Sequence, residues 1–358
     1  MKSINYIFSA ILMLALNACS QKLQKQKTPQ ELIVYPSPPD TTRIQYLTSI
    51  STSKDVEGEP SMFSKYITGE EPPKPIVKPY GVAMHNNKIY ICDLDLRGLE
   101  IIDLENQTLE YFIPEGLGQL KLPINCFVDS LGYLYVADVQ RHQVVIFDKD
   151  LQYVNSFGTR ESLKPTDVFV TNNKIWVTNV SNSTIDVFKQ DSTYQFLYSL
   201  PKSTQAQERL FQPTNLFVSN NKVYVSDFGE FSIKIYDHQG KFLQSVGSYG
   251  RNIGQFTRPK GIAVDKDENL YVVDAAFENV QIFNKQGKLL MFFGGSYKKP
   301  GGMWLPAKVA ISYNGLEYFQ KYVNERYLLK YLILVTNNFG PDKVNIYGYV
   351  EEKAMVNK

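Results

Sequence analysis

The 358-residue sequence has few of the residues that build disulfide or metal sites, with only three cysteines and three histidines. So few cysteines exclude a scaffold built on disulfides. Charge of one sign is also lacking, because 38 Lys and Arg residues face 36 Asp and Glu residues. This near balance gives no support to nucleic-acid binding, which usually needs a basic surface. The 43% of hydrophobic residues is nevertheless enough for a large packed core.

Long apolar runs are scarce as well. The run at the N-terminus, residues 4–16, is shorter than the roughly 20 residues of a membrane-spanning helix. It follows the basic residue Lys2 and precedes the small residue Ala18, which is the pattern of an export signal. We therefore expect a signal peptide over residues 1–18, which is removed before the protein folds.

The end of this leader, Leu16-Asn17-Ala18-Cys19, resembles a bacterial lipobox. The resemblance implies cleavage before Cys19 and lipidation of its sulfur, and the alternative is an ordinary secreted protein. Ser20 in place of Asp resembles a signal for the outer membrane, on either its periplasmic or its surface side. Residues 19–42 are rich in Gln, Lys and then Pro, so we expect a lipidated Cys19 followed by a flexible tether.

After the tether, a pattern of short apolar strands recurs six times at intervals of 42 to 48 residues. Each unit begins with Pro, continues with a strand ending in Asp or Asn, and then has an Ile-Phe or Ile-Tyr strand. Three units carry an Asn-Asn-Lys turn, and Asn tolerates the positive φ of tight hairpins. Four short strands per unit predict an all-β, six-bladed β-propeller. The units open at Pro79, Pro123, Pro165, Pro213, Pro259 and Pro306.

The fifth unit, residues 256–283, resembles an NHL repeat. Residues 274–283, 292–295, 303–306 and 317–322 resemble a subgroup of bacterial six-bladed NHL propellers, many of which have lipoprotein leaders. The resemblance covers residues 36–349. It implies a noncatalytic propeller of the cell envelope, and members of this subgroup often accompany extracellular multihaem cytochromes.

Blade six departs from the repeat in two ways. Residues 312–330 are inserted between its first two strands, and four apolar residues recur there at helical spacing, which predicts an amphipathic helix. The blade also lacks its own fourth strand, and an open edge would invite aggregation. We therefore predict that residues 43–50 supply this strand and close a propeller of residues 43–350, with 351–358 as a tail. The helical spacing rests on Leu316, Phe319, Val323 and Tyr327.

Two sets of residues could carry metal chemistry. The three histidines, His85, His142 and His238, belong to different blades and to both faces, so a three-His zinc site is excluded and we expect solvated turn residues. A polar residue also ends every second strand, where it can accept hydrogen bonds from the next loop. We expect a structural role for this ring, with binding of Ca²⁺ or another cation as the alternative. Its members are Asp93, Asp138, Asn179, Asp227, Asp274 and Asn337.

The loops that follow these strands differ from blade to blade and should lie near one face. Arg and aromatic residues there are candidate anchors for a protein partner, although the Phe side chains could instead wedge between blades. Cys92 and Cys126 are expected to be buried thiols, with a bridge between adjacent blades as the alternative. The candidate anchors are Arg97, Arg141, His142, Phe228, Phe231, Phe277 and Phe339.

These observations favour a noncatalytic, lipid-anchored propeller that binds a protein of the cell envelope. The resemblance suggests an electron-transfer component such as a multihaem cytochrome as the partner. The sequence contains no Ser-His-Asp order and no glycine loop for phosphate, and we expect no cofactor and no nucleic-acid partner. The alternative is a metal-binding, carbohydrate-binding or lyase-like propeller that uses its central channel.

Overall fold

The strands of the protein form six antiparallel sheets arranged as the blades of a β-propeller. The computed structural model describes residues 31–58, 72–203 and 205–353. Chain contacts separate residues 1–32 from a unit of residues 33–358, and the strands belong to the second unit. The predicted signal peptide, Cys19 and most of the tether lie outside the described residues. No helix in the described part of the chain has the length and apolar character needed to cross a membrane.

Five blades have four strands each, and the sixth is built from both ends of the chain. The first two strands in the chain are β1 (Val34–Tyr35) and β2 (Ile44–Ile50). Blades one and two contain β3 (Pro79–His85), β4 (Lys88–Asp93), β5 (Gly98–Asp103), β6 (Thr108–Phe112), β7 (Pro123–Val128), β8 (Leu134–Asp138), β9 (Gln143–Phe147) and β10 (Tyr153–Phe157). Blades three and four contain β11 (Pro165–Thr171), β12 (Lys174–Asn179), β13 (Thr184–Lys189), β14 (Phe196–Leu200), β15 (Pro213–Ser219), β16 (Lys222–Asp227), β17 (Ser232–Asp237) and β18 (Phe242–Val246). Blades five and six contain β19 (Pro259–Val264), β20 (Leu270–Asp274), β21 (Asn279–Phe283), β22 (Leu289–Gly294), β23 (Pro306–Ser312), β24 (Tyr327–Asn337) and β25 (Val344–Glu352).

The first strand of each blade lines the centre of the ring. Each of these strands contacts the first strand of the next blade, and β23 of blade six contacts β3 of blade one. Pro begins all six, where its missing N–H breaks no ladder hydrogen bond. The hairpins that follow use the predicted conformation, since Asn86, Asn172 and Asn220 have φ of 49–53°.

Apolar side chains of adjacent blades pack against each other and form six buried clusters around the ring. In one of them, Trp176 of blade three packs with Leu216 and Tyr236 of blade four. The second strands are buried on both sides, which explains why their sequences read as continuous apolar runs. Each blade is therefore stabilised mainly by its neighbours.

Blade six is closed by the N-terminal strand, in the position that the sequence analysis predicted. Strand β2 pairs antiparallel with β25, from Ile44 opposite Tyr349 to Ile50 opposite Val344. The two-residue strand β1 adds a short fifth strand outside it. Both ends of the chain therefore share one sheet.

The insertion in blade six is less helical than expected. Helix α1 (Lys54–Glu57) lies elsewhere, and α2 (Leu316–Phe319) is a single turn followed by a 3-10 turn at Gln320–Tyr322. Val323 lies beyond both, and Tyr327 begins β24, where it pairs with Glu352 of β25. The helix predicted over residues 312–330 was therefore too long, because the residues from Tyr327 onwards belong to β24 and pair with β25.

Removing the closing strand should destabilise the whole propeller. A chain that starts at Ser51 loses the side chains of Ile44, Tyr46, Leu47 and Ile50, all buried. Their burial contributes on the order of 6–12 kcal/mol at roughly 1.5–3 kcal/mol each, which is comparable with the total stability of a typical protein. We expect the truncated chain to unfold at far lower urea concentration, measured by circular dichroism.

The matched control starts at Leu32 and keeps β1 and β2. It should unfold like the chain without its signal peptide. Equal urea midpoints for the chains starting at Leu32 and Ser51 would contradict closure by β2.

Candidate partner-binding face

The antiparallel order of the strands gives the propeller two distinct faces. The loops between second and third strands and the connectors between blades lie at one end of the sheets, which we call the loop face. The two hairpin turns of each blade lie at the opposite end, which we call the hairpin face. The seven predicted anchor residues all lie in loops of the loop face, as expected.

The ring of strand-end polar residues holds the loop face together. Asp93 accepts four backbone N–H bonds of 2.6–3.0 Å, from Val77 and Lys78 of the preceding connector and from Asp95 and Leu96 of the following loop. Without this acceptor the buried N–H groups would lose their partners, at about 1–3 kcal/mol each. A connector N–H also donates to the equivalent residue in each other blade, at Asp138, Asn179, Asp227, Asp274 and Asn337.

These contacts support a structural role for the ring. The weak metal candidates, Asp93, Asp138, Asp227 and Asp274, are fully buried and use their oxygens as hydrogen-bond acceptors. Within the residues that the structure describes, no group of three or more His, Cys, Asp or Glu side chains could hold a metal ion.

Buried polar residues on the third strands give the connectors a second support. Gln281 donates to the carbonyl of Gln255 over 2.9 Å, and Asn345 donates to that of Gly302 over 2.8 Å. Lys234 likewise donates to the carbonyl of Arg209. Blades four, five and six thus use two polar positions each to fix the loop face.

Glu100 occupies this position in blade one but has no donor. It is completely buried, and no donor from the described residues reaches its two oxygens. Burial raises the pKa of Glu100 to about 10, and repulsion by the nearby carboxylate of Asp93 adds to the shift. Glu100 is therefore protonated at neutral pH.

The three histidines are dispersed, but they are not all solvated as expected. His238 packs its ring 4.9 Å from that of Trp176, and burial lowers its pKa below the ordinary value. His142 has its Nδ1 3.0 Å from the carbonyl oxygen of Leu163 in the next connector. Both histidines are therefore packed into the propeller.

Two of the predicted anchors are engaged within the protein. The guanidinium of Arg141 donates to the carbonyls of Leu117 and Gln119 and to the side chain of Gln143, so its donors hold the connector of blade two. His142 is tied to the third blade in the manner described above. Neither side chain is presented freely to a partner.

A shared backbone position explains part of the predicted anchor set. Arg97, His142 and Phe231 have φ of 57°, 59° and 53°, and each stands directly before the third strand of its blade. Ser183 and Glu278 adopt the same conformation in blades three and five. The turn therefore determines the backbone conformation at this position, and of the five residues found there Arg97 is exposed.

Two of the four predicted Phe residues form an aromatic cluster with a connector residue on the loop face. The rings of Phe228 and Phe231 lie 5.8 Å apart, and Phe231 lies 4.8 Å from Tyr249 of the next connector. Phe277 is half-buried beside Ile253, which fits the alternative of packing between elements. Phe339 is exposed, with Trp304 adjoining the next residue, Gly340.

Of the seventeen large apolar side chains exposed among the described residues, eight lie on the loop face and six lie on the outer strands of the blades. Sequence reasoning missed most of the eight, because it considered the loops within blades and not the connectors between blades. The alternation of turns places both segments on one face, so the apolar residues of the connectors were the signal that could have found them. The exposed residues there are Val77, Ile113, Leu117, Phe211, Tyr249, Ile253, Trp304 and Phe339.

The hairpin face differs sharply. In the turns there, Leu131 is the one large apolar side chain exposed among the described residues. Polar turns such as Asn172-Asn173 and Asn220-Asn221 cover the remainder. The two faces therefore present different chemistry to solvent.

Cys92 and Cys126 are buried free thiols in the packing between blades one and two. Burial raises the pKa of the Cys92 thiol, which keeps it in the unreactive protonated form. The alternative of a bridge between them does not occur in this structure.

Comparisons with known proteins agree with the architecture. The family model DUF5128, described as a 6-bladed beta-propeller, matches residues 171–291. The search of curated proteins found no match. Together with the six sheets, the family model defines the chain as a six-bladed β-propeller.

Several solved structures share this fold at low identity. A structural genomics protein of unknown function from Bacteroides thetaiotaomicron is 15% identical with a TM-score of 0.58, over 86% of this chain and 76% of that chain. A gluconolactonase from Xanthomonas campestris is 14% identical with a TM-score of 0.53, over 88% and 91%. The virginiamycin B lyase from Staphylococcus aureus is 12% identical with a TM-score of 0.51, over 76% and 95%. At these identities the likeness concerns the fold alone.

The buried acid Glu100 should make stability depend on pH. The native state keeps its proton up to about pH 10, whereas the unfolded chain releases it near the ordinary value for Glu. Between these values the native state binds more protons, so the free energy of unfolding falls as pH rises, by up to about 1.4 kcal/mol per pH unit. Urea unfolding of Glu100→Gln from pH 5 to 9 should lack this slope.

Glu230→Gln, at an exposed loop position, is the matched control and should retain the slope of the wild-type chain. A Glu100→Gln variant with the same slope as the wild type would show that Glu100 is not a buried neutral acid.

Proposed function

We propose that this chain is a noncatalytic, lipid-anchored scaffold of the cell envelope that binds a protein partner through its loop face. The observation that carries the proposal is the contrast between the two faces, since eight large apolar side chains are exposed on the loop face and one, Leu131, in the described turns of the hairpin face. Soluble proteins seldom expose large apolar patches without an interaction to cover them. Aromatic residues such as Phe231, Tyr249 and Trp304 are also the usual anchors of protein interfaces.

The chain enters the propeller through β1, the outermost strand of blade six. Strand β2 begins at Ile44, opposite Tyr349 near the end of β25, and therefore starts at the hairpin-face end of blade six. The turn between β1 and β2 lies at that end too. Strand β1 therefore runs towards the hairpin face, and a tether from a lipidated Cys19 would join it at the rim of blade six, which leaves the centre of the loop face open to a partner.

The partner is proposed to be an envelope protein, with an electron-transfer component such as a multihaem cytochrome as the specific candidate. This finer assignment rests on the resemblance to NHL propellers of that subgroup. The solved structures named as a lyase and a gluconolactonase are 12% and 14% identical and share the fold alone, so they do not favour a lyase-like function over the scaffold.

Site-specific photocrosslinking in intact cells tests the proposal. A photoreactive amino acid replaces Tyr249 on the loop face or Leu131 on the hairpin face, which are similarly exposed at 63% and 71%. We expect a discrete crosslinked partner from position 249 and none from position 131. The adduct should weaken several-fold when Trp304 and Phe231 are both changed to Ser, because the aromatic anchors are lost.

Identical crosslinks from both positions, or a position-249 adduct that survives loss of the aromatic residues, would contradict the proposal. A Cys19→Ala version in the same cells reports on the anchor and should leave the membrane fraction. A version that remains membrane-bound would refute lipidation at Cys19.

A further inference from the structure

The centre of the ring contains an uneven cavity. It has a volume of about 110 Å³, and residues from the first strands of all six blades line it. Blades two, three and four contribute Phe127, Phe169 and Phe217 at one position of the first strand. Blades five, six and one contribute Ala at the same position, namely Ala263, Ala310 and Ala83.

The three phenylalanines form a continuous aromatic wall. The ring centroids of Phe127 and Phe169 are 4.5 Å apart, and those of Phe169 and Phe217 are 4.9 Å apart. The alanines opposite leave the space that larger side chains would fill. The cavity is smaller than the apolar cavity of about 150 Å³ that holds benzene, so a ring beside this wall would extend towards the wider recess that Phe127 and Phe169 also line.

Two residues further towards the loop face, a buried ion pair bounds the cavity. The ammonium of Lys308 lies 2.5 Å from Asp167 Oδ2, and both residues line the cavity. This oxygen also accepts hydrogen bonds from the backbone N–H of Leu216 and from Asn215 Nδ2. Since an ammonium has three donors, Lys308 keeps donors for a further acceptor.

The charges around this end of the cavity favour an anion. Tyr80 lies two residues before Val82, which lines the cavity. Burial raises the pKa of Tyr80 to about 12, with the charge of Asp167 adding to this shift and the charge of Arg258 opposing it. Its ring lies 4.6 Å from the ammonium of Lys260. Lys260 and Arg258 are not part of the cavity lining, but they add positive charge near Tyr80, beyond the ion pair of Lys308 and Asp167.

The cavity is accessible from the hairpin face. Phe127 and Phe169 also line a wider polar recess of about 780 Å³, whose rim includes Asp129, Thr171 and Asn220. The opposite side is narrow, because Gly81 and Gly261 approach the next strand so closely that a Cβ atom would lie 2.5–2.6 Å from its backbone. A ligand that enters from the hairpin face would therefore place its charged group near Lys308 and its apolar group beside the phenylalanines.

We infer that the central cavity is a binding site for a small aromatic carboxylate, with the ring against Phe127, Phe169 and Phe217 and the carboxylate on the ammonium of Lys308. This site is separate from the loop face, so it stands or fails independently of the proposed partner.

Isothermal titration of the folded chain with three probes tests the inference. Benzoate has both ring and carboxylate, whereas toluene has only the ring and acetate only the carboxylate. We expect benzoate to bind at least tenfold more tightly than either. Benzoate binding no tighter than acetate or toluene, or no binding at all, would overturn the inference.

A variant with a larger side chain in the cavity provides an independent test. Ala310→Phe introduces the residue that three other blades already carry at this position, and it should weaken benzoate binding at least tenfold. Leu243→Phe, on the exposed surface of β18, is the control and should bind like the wild type. Ala263→Phe is the second filling variant, to be used if Ala310→Phe does not fold.

A folded filling variant with unchanged affinity would place benzoate elsewhere and overturn the assignment. If neither variant folds, the ranking of the three probes on the wild-type chain decides the question. Loss of crosslinking at the loop face would leave this result unaffected, so failure of the two proposals can be told apart.

Discussion

The pairing of β2 with β25 is the constraint on which the rest of the structure depends. A propeller blade gains most of its stability from the neighbours on either side, as the six clusters between blades show. The stability of such a ring therefore depends on the blade in which the two chain ends meet. Here Ile44 to Ile50 fill the outer position that β25 would otherwise leave open, so residues about 300 positions apart in sequence are held in one sheet.

Within the closed ring, one polar residue per blade fixes the conformation of the adjacent loops. The acceptor at the end of each second strand binds the backbone of the preceding connector, as Asp93 does for Val77 and Lys78. The carboxylate that recurs in four of the six blades, with Asn in the other two, therefore has a structural role. The residues that differ between blades, such as Tyr249 and Trp304 in the connectors, are free to determine what the loop face recognises.

The number of blades and the closing strand could be predicted from the sequence because both leave strong local patterns. Pro at each first strand and Asp or Asn at each second strand repeat with little change, and residues 43–50 form a strand without a partner. The helix expected within residues 312–330 is present but shorter than predicted, because Tyr327 pairs with Glu352 of β25 instead of continuing the helical spacing. Spacing alone cannot rank these outcomes, since the partner strand is distant in sequence.

The candidate face was only partly predictable. The loop residues Phe231 and Phe339 were identified, but the commitment of Arg141 to Leu117 and Gln119 depends on a connector whose path no local pattern reveals. The aromatic wall of the cavity was present in the sequence as Phe127, Phe169 and Phe217, aligned at one position of the repeat. Its role could not be inferred from the sequence, because only closure of the ring brings these three strands around a common axis.

Hydrogen exchange of the amides in β2 and β25 tests the central role of closure most directly. If the ring opens only when the whole protein unfolds, these amides should exchange with the free energy of global unfolding measured by denaturant. If β2 exchanged with a much smaller free energy while the first strands of the other blades stayed protected, closure would be a local and dispensable contact, and the account would be contradicted.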